Sequence, residues 1–319
     1  MDVGQARDWE NESAVNEFIL LGYHKHPALL FTAFLVVYLA ILLGNGLIVV
    51  VTTWDPALQT PMYFFLRSLS GLELCYTSVT LPKMMASLAT GHRTISLPAC
   101  ASQMFFLLFL GGTECFLLAV MAYDRYLAIC RPLHYMNIMN QRVCVGLVTG
   151  SFVISFPMQI VQIGLIFSLP FCGSNEMDHF FCDIPPVLSL ACADLYANEL
   201  AICTENVVFV LVPFVLILAS YVYITRAILR MSSATGRQKA FSTCSSHLTV
   251  VSLFYGSAML VYLRPQTPDS VKVDKLLSLF YTILIPLCNP LIYTLRNKEV
   301  KAALKRGIST VTAAIWPGF

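Results

Sequence analysis

Charge is what this chain has least of. Only 12% of its 319 residues are Asp, Glu, Lys or Arg, against 57% hydrophobic, and the mean hydropathy is +0.71. Soluble domains carry about 25% charged residues, so too little polar surface exists to coat a water-soluble globule, and a soluble enzyme is the first class excluded. A net charge of +2, scattered among apolar runs, offers no nucleic-acid surface. No polar linker interrupts the apolar stretches from about residue 29 to 295, which makes one membrane domain between an extracellular segment, 1–28, and a cytoplasmic tail, 296–319. The start lacks the basic and apolar pattern of a cleaved signal peptide. No CxxC pair or His–Cys cluster has zinc spacing, and no nucleophile elbow or phosphate-cradling glycine loop appears. Internal repeats and paired broken helices, the marks of a transporter, are also missing.

What is present is a set of seven runs near the roughly 20 apolar residues that a membrane-crossing helix needs: 29–52, 62–88, 98–122, 143–169, 201–224, 241–262 and 276–295. The second is weakened by Arg67, Glu73 and Lys83, charges tolerated mainly where they face other helices. A span in lipid must satisfy its own backbone hydrogen bonds. The expected fold is therefore an all-α membrane protein, a seven-helix bundle.

Lysine and arginine in the short segments set its direction. With the amino terminus outside, twelve fall inside (Arg125, Arg131, Arg142, Arg226, Arg230, Arg237, Lys239, Arg296, Lys298, Lys301, Lys305, Arg306) and six outside (Arg7, Lys25, Arg93, Arg264, Lys272, Lys275). Asn11, two residues before Ser13, is a glycosylation acceptor usable only on the lumenal side. Of the eleven cysteines, Cys100, Cys172, Cys182 and Cys192 fall on the outer, oxidising side. Four cysteines allow three pairings; Cys100 with Cys182 and Cys172 with Cys192 is the favoured one. Cys75, Cys115, Cys130, Cys144, Cys244 and Cys288 read as small buried hydrophobes, and Cys203 has no assignment. Beyond 297, Lys298, Lys301, Lys305 and Arg306 surround Val300 and Leu304 in the pattern of a short amphipathic helix on the inner membrane face.

Several motifs then fall in order at the span edges: Gly44 and Asn45, PMYFFL at 61–66, MAYDRYLAICRPLHY at 121–135, Ser220 and Tyr221, KAFSTCSSHL at 239–248, and NPLIYTLRN at 289–297. Together they cover nearly the whole chain. They resemble the olfactory receptor branch of the rhodopsin-like G-protein-coupled receptors. The resemblance implies a plasma-membrane sensor of small volatile odorants, in the cilia of olfactory neurons, that activates an olfactory-type stimulatory G protein and raises cyclic AMP. It implies that Asp124, Arg125 and Tyr126 end the third span as a charge pair and its neighbour, that Arg125 becomes exposed to the G protein, and that Tyr221 and Tyr293 reorganise near it. Pro290 after Asn289 removes an intrahelical bond and makes a hinge available. No cofactor is required. A non-olfactory chemosensory receptor for a small metabolite is the alternative, and a transporter a weaker one.

Two further sites are expected. Glu73 and Glu114, in mid-span, cannot both ionise at close range without a proton or cation between them. Either they form a sodium or shared-proton site completed by Asn45 and Asn289, or each is simply protonated and hydrogen-bonded. For a ligand, counting by three and four from Cys100 puts Met104, Leu107, Leu108, Gly111 and Gly112 on one face of the third span. Opposite them stand Glu205, Asn206 and Phe209, then Tyr255, Ala258, Met259 and Tyr262, and Leu279 and Thr282. Such a pocket is apolar with few anchors. Glu205 either faces surface water or meets a donor group of the ligand. Leu107 and Leu108 occupy the depth where an amine receptor would place an aspartate, and no lysine for a retinal Schiff base lies inside the seventh span.

Overall fold

Prolines mark the helix starts. Pro27, Pro61 and Pro98 each occupy the first turn of a long helix, where the missing N–H is an orphan in any case. Asn140 caps another, its Oδ1 accepting from Val143 N–H at 3.1 Å. The computed structural model describes residues 15–22, 26–172, 174–262, 270–297 and 299–306. Asn11 lies outside them. The long helices are α1 (Pro27–Trp54), α2 (Pro61–Thr90), α3 (Leu97–Cys130), α4 (Gln141–Phe167), α5 (Tyr196–Leu229), α6 (Ala234–Tyr262) and α7, built from Ser270–Leu279, a π-helical turn at Phe280–Leu284, and Ile285–Arg296. All seven expected spans are helical. By length and composition five could cross a membrane unaided: α1, α3, α4, α5 and the stretch Lys275–Tyr293. Helices α2 and α6 are diluted by polar residues because they turn those residues inward: Glu73, Thr77 and Thr80 of α2 and His247 and Ser257 of α6 are buried.

Two expectations need correction. Asp124, Arg125 and Tyr126 do not end the third span: helix α3 runs on to Cys130, with Asp124 and Arg125 buried. Nor is the chain wholly helical. At one end of the bundle β1 (Glu17–Leu20) pairs antiparallel with β2 (Thr94–Ser96) and parallel with β3 (Glu176–Met177), Phe18 standing opposite Ile95. Phe18, Ile95, Met177 and Cys100 form a dry cluster beneath this sheet.

Disulfides staple the same end. Cys100 joins Cys182 and Cys172 joins Cys192, with Cα atoms 5.5 Å and 5.9 Å apart. The first closes 82 residues of chain and is worth about 2–4 kcal/mol. Lys275 adds a clasp: its ammonium lies 2.5 Å from Asp178 Oδ1, donates to the Gly22 carbonyl at 3.0 Å, and stands over the Phe180 ring. At the opposite end Val300 and Ala303 are buried in the main core, so the segment 299–306 forms the expected helix. Arg306 ties it to Asp55 at 2.7 Å and holds the Asp55 carboxyl below its usual range. Among the other cysteines Cys115, Cys144 and Cys244 are buried, whereas Cys75 and Cys203 are exposed. The burial expected of Cys75 is therefore wrong; as a weak polar group it costs little on a lipid-facing helix side.

The loop carrying Cys182 also buries His179, whose Nδ1 lies 2.8 Å from the Phe181 carbonyl oxygen. Burial, reinforced by the Lys275 charge, holds this imidazole below its ordinary 6.5, with Asp183, Asp178 and the Phe181 carbonyl opposing. The unfolded chain thus takes up a proton near pH 6.5 that the folded chain refuses, so stability falls as pH drops through that value. Purified protein should lose Tm between about pH 7.5 and about pH 5.5. A His179→Asn variant should show a smaller drop; an equal one excludes the imidazole as its source.

Candidate functional site

In α5 and α7 a proline disturbs the helix just where side chains gather. Pro213 withdraws the donor that the Phe209 carbonyl would receive. The preceding turn, Asn206–Leu211, widens to π geometry, with Val212 N–H reaching the Val207 carbonyl. Pro286 does the same to Phe280–Leu284. Between these bulges lies a cavity of ≈ 100 Å³, lined by Leu107, Leu108, Gly111 and Gly112 of α3, Gln159 of α4, Ile202, Glu205, Asn206 and Phe209 of α5, Phe254, Ser257 and Ala258 of α6 and Tyr281 of α7. Ile184 closes it from the disulfide-bonded loop. Asp183 fixes that lid, its Oδ1 accepting from Ile184 N–H and its Oδ2 from the Tyr281 hydroxyl at 2.6 Å.

Eight of the expected ligand residues are brought together here: Leu107, Leu108, Gly111, Gly112, Glu205, Asn206, Phe209 and Ala258. Five are not. Met104 is fully buried with Cys100 beneath the sheet. Tyr255 lies in the core below the cavity, donating to the Cys115 carbonyl at 3.0 Å. Met259 packs on the same core, Leu279 packs against the cluster that contains Leu107 and Phe180, and Thr282 is buried, bonded to the Ser278 carbonyl. Counting along straight helices fails because the cavity leans toward α4 and α5 and the α7 bulge rotates its neighbours away. The Tyr262 side chain falls outside those described. Gln159, Ser257 and Tyr281 were missed; an amide in the middle of the apolar fourth span was the available signal for the first.

A polar centre lies deeper. Asn289 Nδ2 donates to Glu73 Oε1. Asn45 Nδ2 donates at 3.1 Å to the Pro286 carbonyl, the acceptor that Pro290 leaves unpaired one turn later. Gly44 permits this contact: a Cβ there would stand 3.0 Å from Pro290 Cβ. Among the described residues Asn45 Oδ1, Glu73 Oε2, Glu114 Oε1 and Asn289 Oδ1 have no hydrogen-bond partner, though all are buried. Four oxygens from four helices thus converge unsatisfied.

At the end opposite the disulfides Arg125 is buried, its Nη1 directed at the Met62 sulfur. The expected Asp124–Arg125 salt bridge is not formed: Asp124 Oδ1 accepts from the Tyr135 hydroxyl at 2.7 Å instead. Neighbouring i and i+1 side chains on a helix diverge by about 100°, so they do not face each other. Tyr221 stacks on His247, their rings 5.9 Å apart, with its hydroxyl 2.9 Å from Nδ1. Tyr293 is buried, and among the described residues its hydroxyl has no hydrogen-bond partner. Tyr126 is set apart, tilted against Tyr223 on the outer side of α5.

Sequence comparison decides the family. A family model described as olfactory receptor matches residues 34–310. The chain belongs to the olfactory receptor family. It is 54% identical over 303 residues to human olfactory receptor 10A7, covering 94% of this chain and 96% of that one, and 53% identical to human olfactory receptor 10AG1 over 91% and 97%. Mouse olfactory receptor 2B6 is 51% identical over 95% and 98%. The receptor is accordingly a multi-pass membrane G-protein-coupled receptor of the odorant class and not an enzyme.

The tightest geometric constraint on the receptor's cavity is Gly112, where a Cβ would stand 3.0 Å from Phe209 Cδ1. A cavity of about 150 Å³ is needed to admit benzene, so an odorant fits only when a side chain such as Phe209 yields. Gly112→Val jams that ring, an overpacking cost of about 1–3 kcal/mol. Any agonist of the parent receptor should lose about tenfold or more in potency, read as EC50 at equal surface expression. Unchanged potency places the ligand elsewhere.

Proposed function

We propose that the receptor holds small, mostly apolar odorants in the cavity among α3, α5, α6 and α7, with its amino terminus outside the plasma membrane, and that occupancy activates an olfactory-type stimulatory G protein and raises cyclic AMP. The observation that carries this reading is a largely apolar cavity bordered by a loop that two disulfides and Tyr281 hold in place. Disulfides persist on the oxidising side, and lysine and arginine accumulate toward the other end, which supports the orientation. Burying roughly 300 Å² of odorant at about 25 cal/mol per Å² yields about 7 kcal/mol before ordering costs. Micromolar recognition follows.

Arg125, Tyr221 and Tyr293 are assigned to G-protein coupling. In their present packing the arginine is covered, which suits a resting state; parting of α6 from α3 uncovers it. Cells carrying the receptor should answer an odorant panel with a cyclic AMP rise, and Arg125→Ala should abolish it at undiminished surface expression. A membrane current that persists without G protein overturns the receptor reading.

The Glu73–Glu114–Asn45–Asn289 centre is read as a sodium site that favours this resting packing. Hard oxygen donors suit a hard cation, and the four unsatisfied oxygens supply them. Replacing external and internal sodium by N-methylglucamine should raise basal cyclic AMP, and Glu114→Gln should erase the difference. Basal signalling indifferent to both manipulations removes the ion from the account.

A further inference from the structure

Glu205 does not stand alone at the cavity wall. It shares the α4–α5 seam with Gln159, Gln162 and Asn198, three amides at 2%, 1% and 2% exposure. Positions 159 and 162 lie one turn apart on one face of α4, and 198 and 205 two turns apart on one face of α5. Among the described residues Gln159 Oε1, Gln162 Oε1, Gln162 Nε2 and Asn198 Oδ1 have no hydrogen-bond partner. An unpaired buried polar group costs about 1–3 kcal/mol. Of these three amides Gln159 lines the cavity, next to Glu205.

The inventory of atoms selects the occupant's chemistry. The Gln159 carboxamide faces the Glu205 carboxyl, and both residues line the cavity. Glu205 brings a carboxyl to the wall and Gln159 a carboxamide, which offers an oxygen acceptor beside its own N–H donors. Among the described residues neither Lys, Arg nor His lines the cavity, so a carboxylate ligand would find no counter-ion there and would be repelled by Glu205. An alcohol brings one donor, whereas an ammonium brings three and a charge. A cation entering a dry cavity needs both an anion and neutral acceptors to offset its lost hydration; here both are at hand.

We propose that the receptor's ligand class is small aliphatic amines in their ammonium form, the apolar tail lying against Leu108, Gly111 and Phe209 and the ammonium received by Glu205 together with the Gln159 carboxamide oxygen. This rests on the odorant reading above and narrows it. The anchor is on α5, not at the Leu107 and Leu108 level of α3 where the sequence argued against amine recognition.

The test uses matched seven-carbon probes, heptylamine, heptanol and heptanoic acid, on cells carrying the full receptor, with cyclic AMP as readout and surface labelling as control. Heptylamine should act at an EC50 at least about tenfold below heptanol, and heptanoic acid should be silent. Glu205→Gln should raise the heptylamine EC50 about 30-fold, as expected for loss of a charge-assisted pair, while heptanol stays within about threefold, which also shows that the variant folds. Glu205→Asp should fall between. Equal shifts for amine and alcohol, or activation by neutral or acidic odorants alone, overturn the amine assignment and leave the odorant receptor intact. Silence toward a broad panel with the receptor at the surface overturns both.

Discussion

In a lipid environment every backbone carbonyl must find a donor within the protein, and the centre of this molecule is arranged around one that the chain itself removed. Pro290 supplies no N–H to the Pro286 carbonyl, and Asn45 of α1 supplies the missing hydrogen bond from another helix. The contact is possible because Gly44 lets α1 approach the Pro290 ring. It fixes the height of α7, and with it Asn289, whose amide is bonded to Glu73 of α2. One proline thus ties α1, α2 and α7 together through side chains that would otherwise have no reason to be buried. The oxygens left over from that arrangement, joined by Glu114 from α3, are the ones the proposed ion would satisfy.

Pro213 and Pro286 have a different consequence. Where no asparagine offers a donor, the helix widens to i→i−5 bonds, and the resulting turns at Asn206–Leu211 and Phe280–Leu284 redirect the side chains around them. Glu205, Asn206 and Phe209 are thereby presented to one cavity, and Thr282 is turned away from it. Gly112 on α3 is complementary, since it makes room for the Phe209 ring.

This division explains what the amino-acid sequence made legible. Seven spans follow from hydropathy because lipid imposes a single length scale on each. Of the eight cavity residues, Leu107, Leu108, Gly111 and Gly112 follow from helical counting, since the 3.6-residue period holds along α3. The misses come from longer-range causes. Leu279 and Thr282 border a bulge whose proline is visible but whose displacement is not; Met104 is claimed by a sheet assembled from strands of four, three and two residues, too short to carry a pattern. Likewise the Asp124 partner, Tyr135, lies beyond the end of the helix, and only the fold of the connecting turn brings its hydroxyl back to 2.7 Å.

The two interior sites are separated by a single packed layer, and that layer suggests how one could influence the other. Cys115 lines the cavity, its carbonyl receives the Tyr255 hydroxyl at 3.0 Å, and Glu114 is its neighbour on α3. Tyr255 in turn packs against Phe214 and Phe254, the latter a cavity residue on α6. A molecule that displaces Phe209 or Phe254 therefore presses on the Tyr255 hydrogen bond that joins α6 to α3. Two turns further along α6, His247 holds Tyr221 of α5 beside Arg125. Because these side chains are close-packed, α6 does not bend gradually; it keeps the Tyr255 contact or gives it up, and packed interfaces of this kind convert a small displacement into a choice between two arrangements.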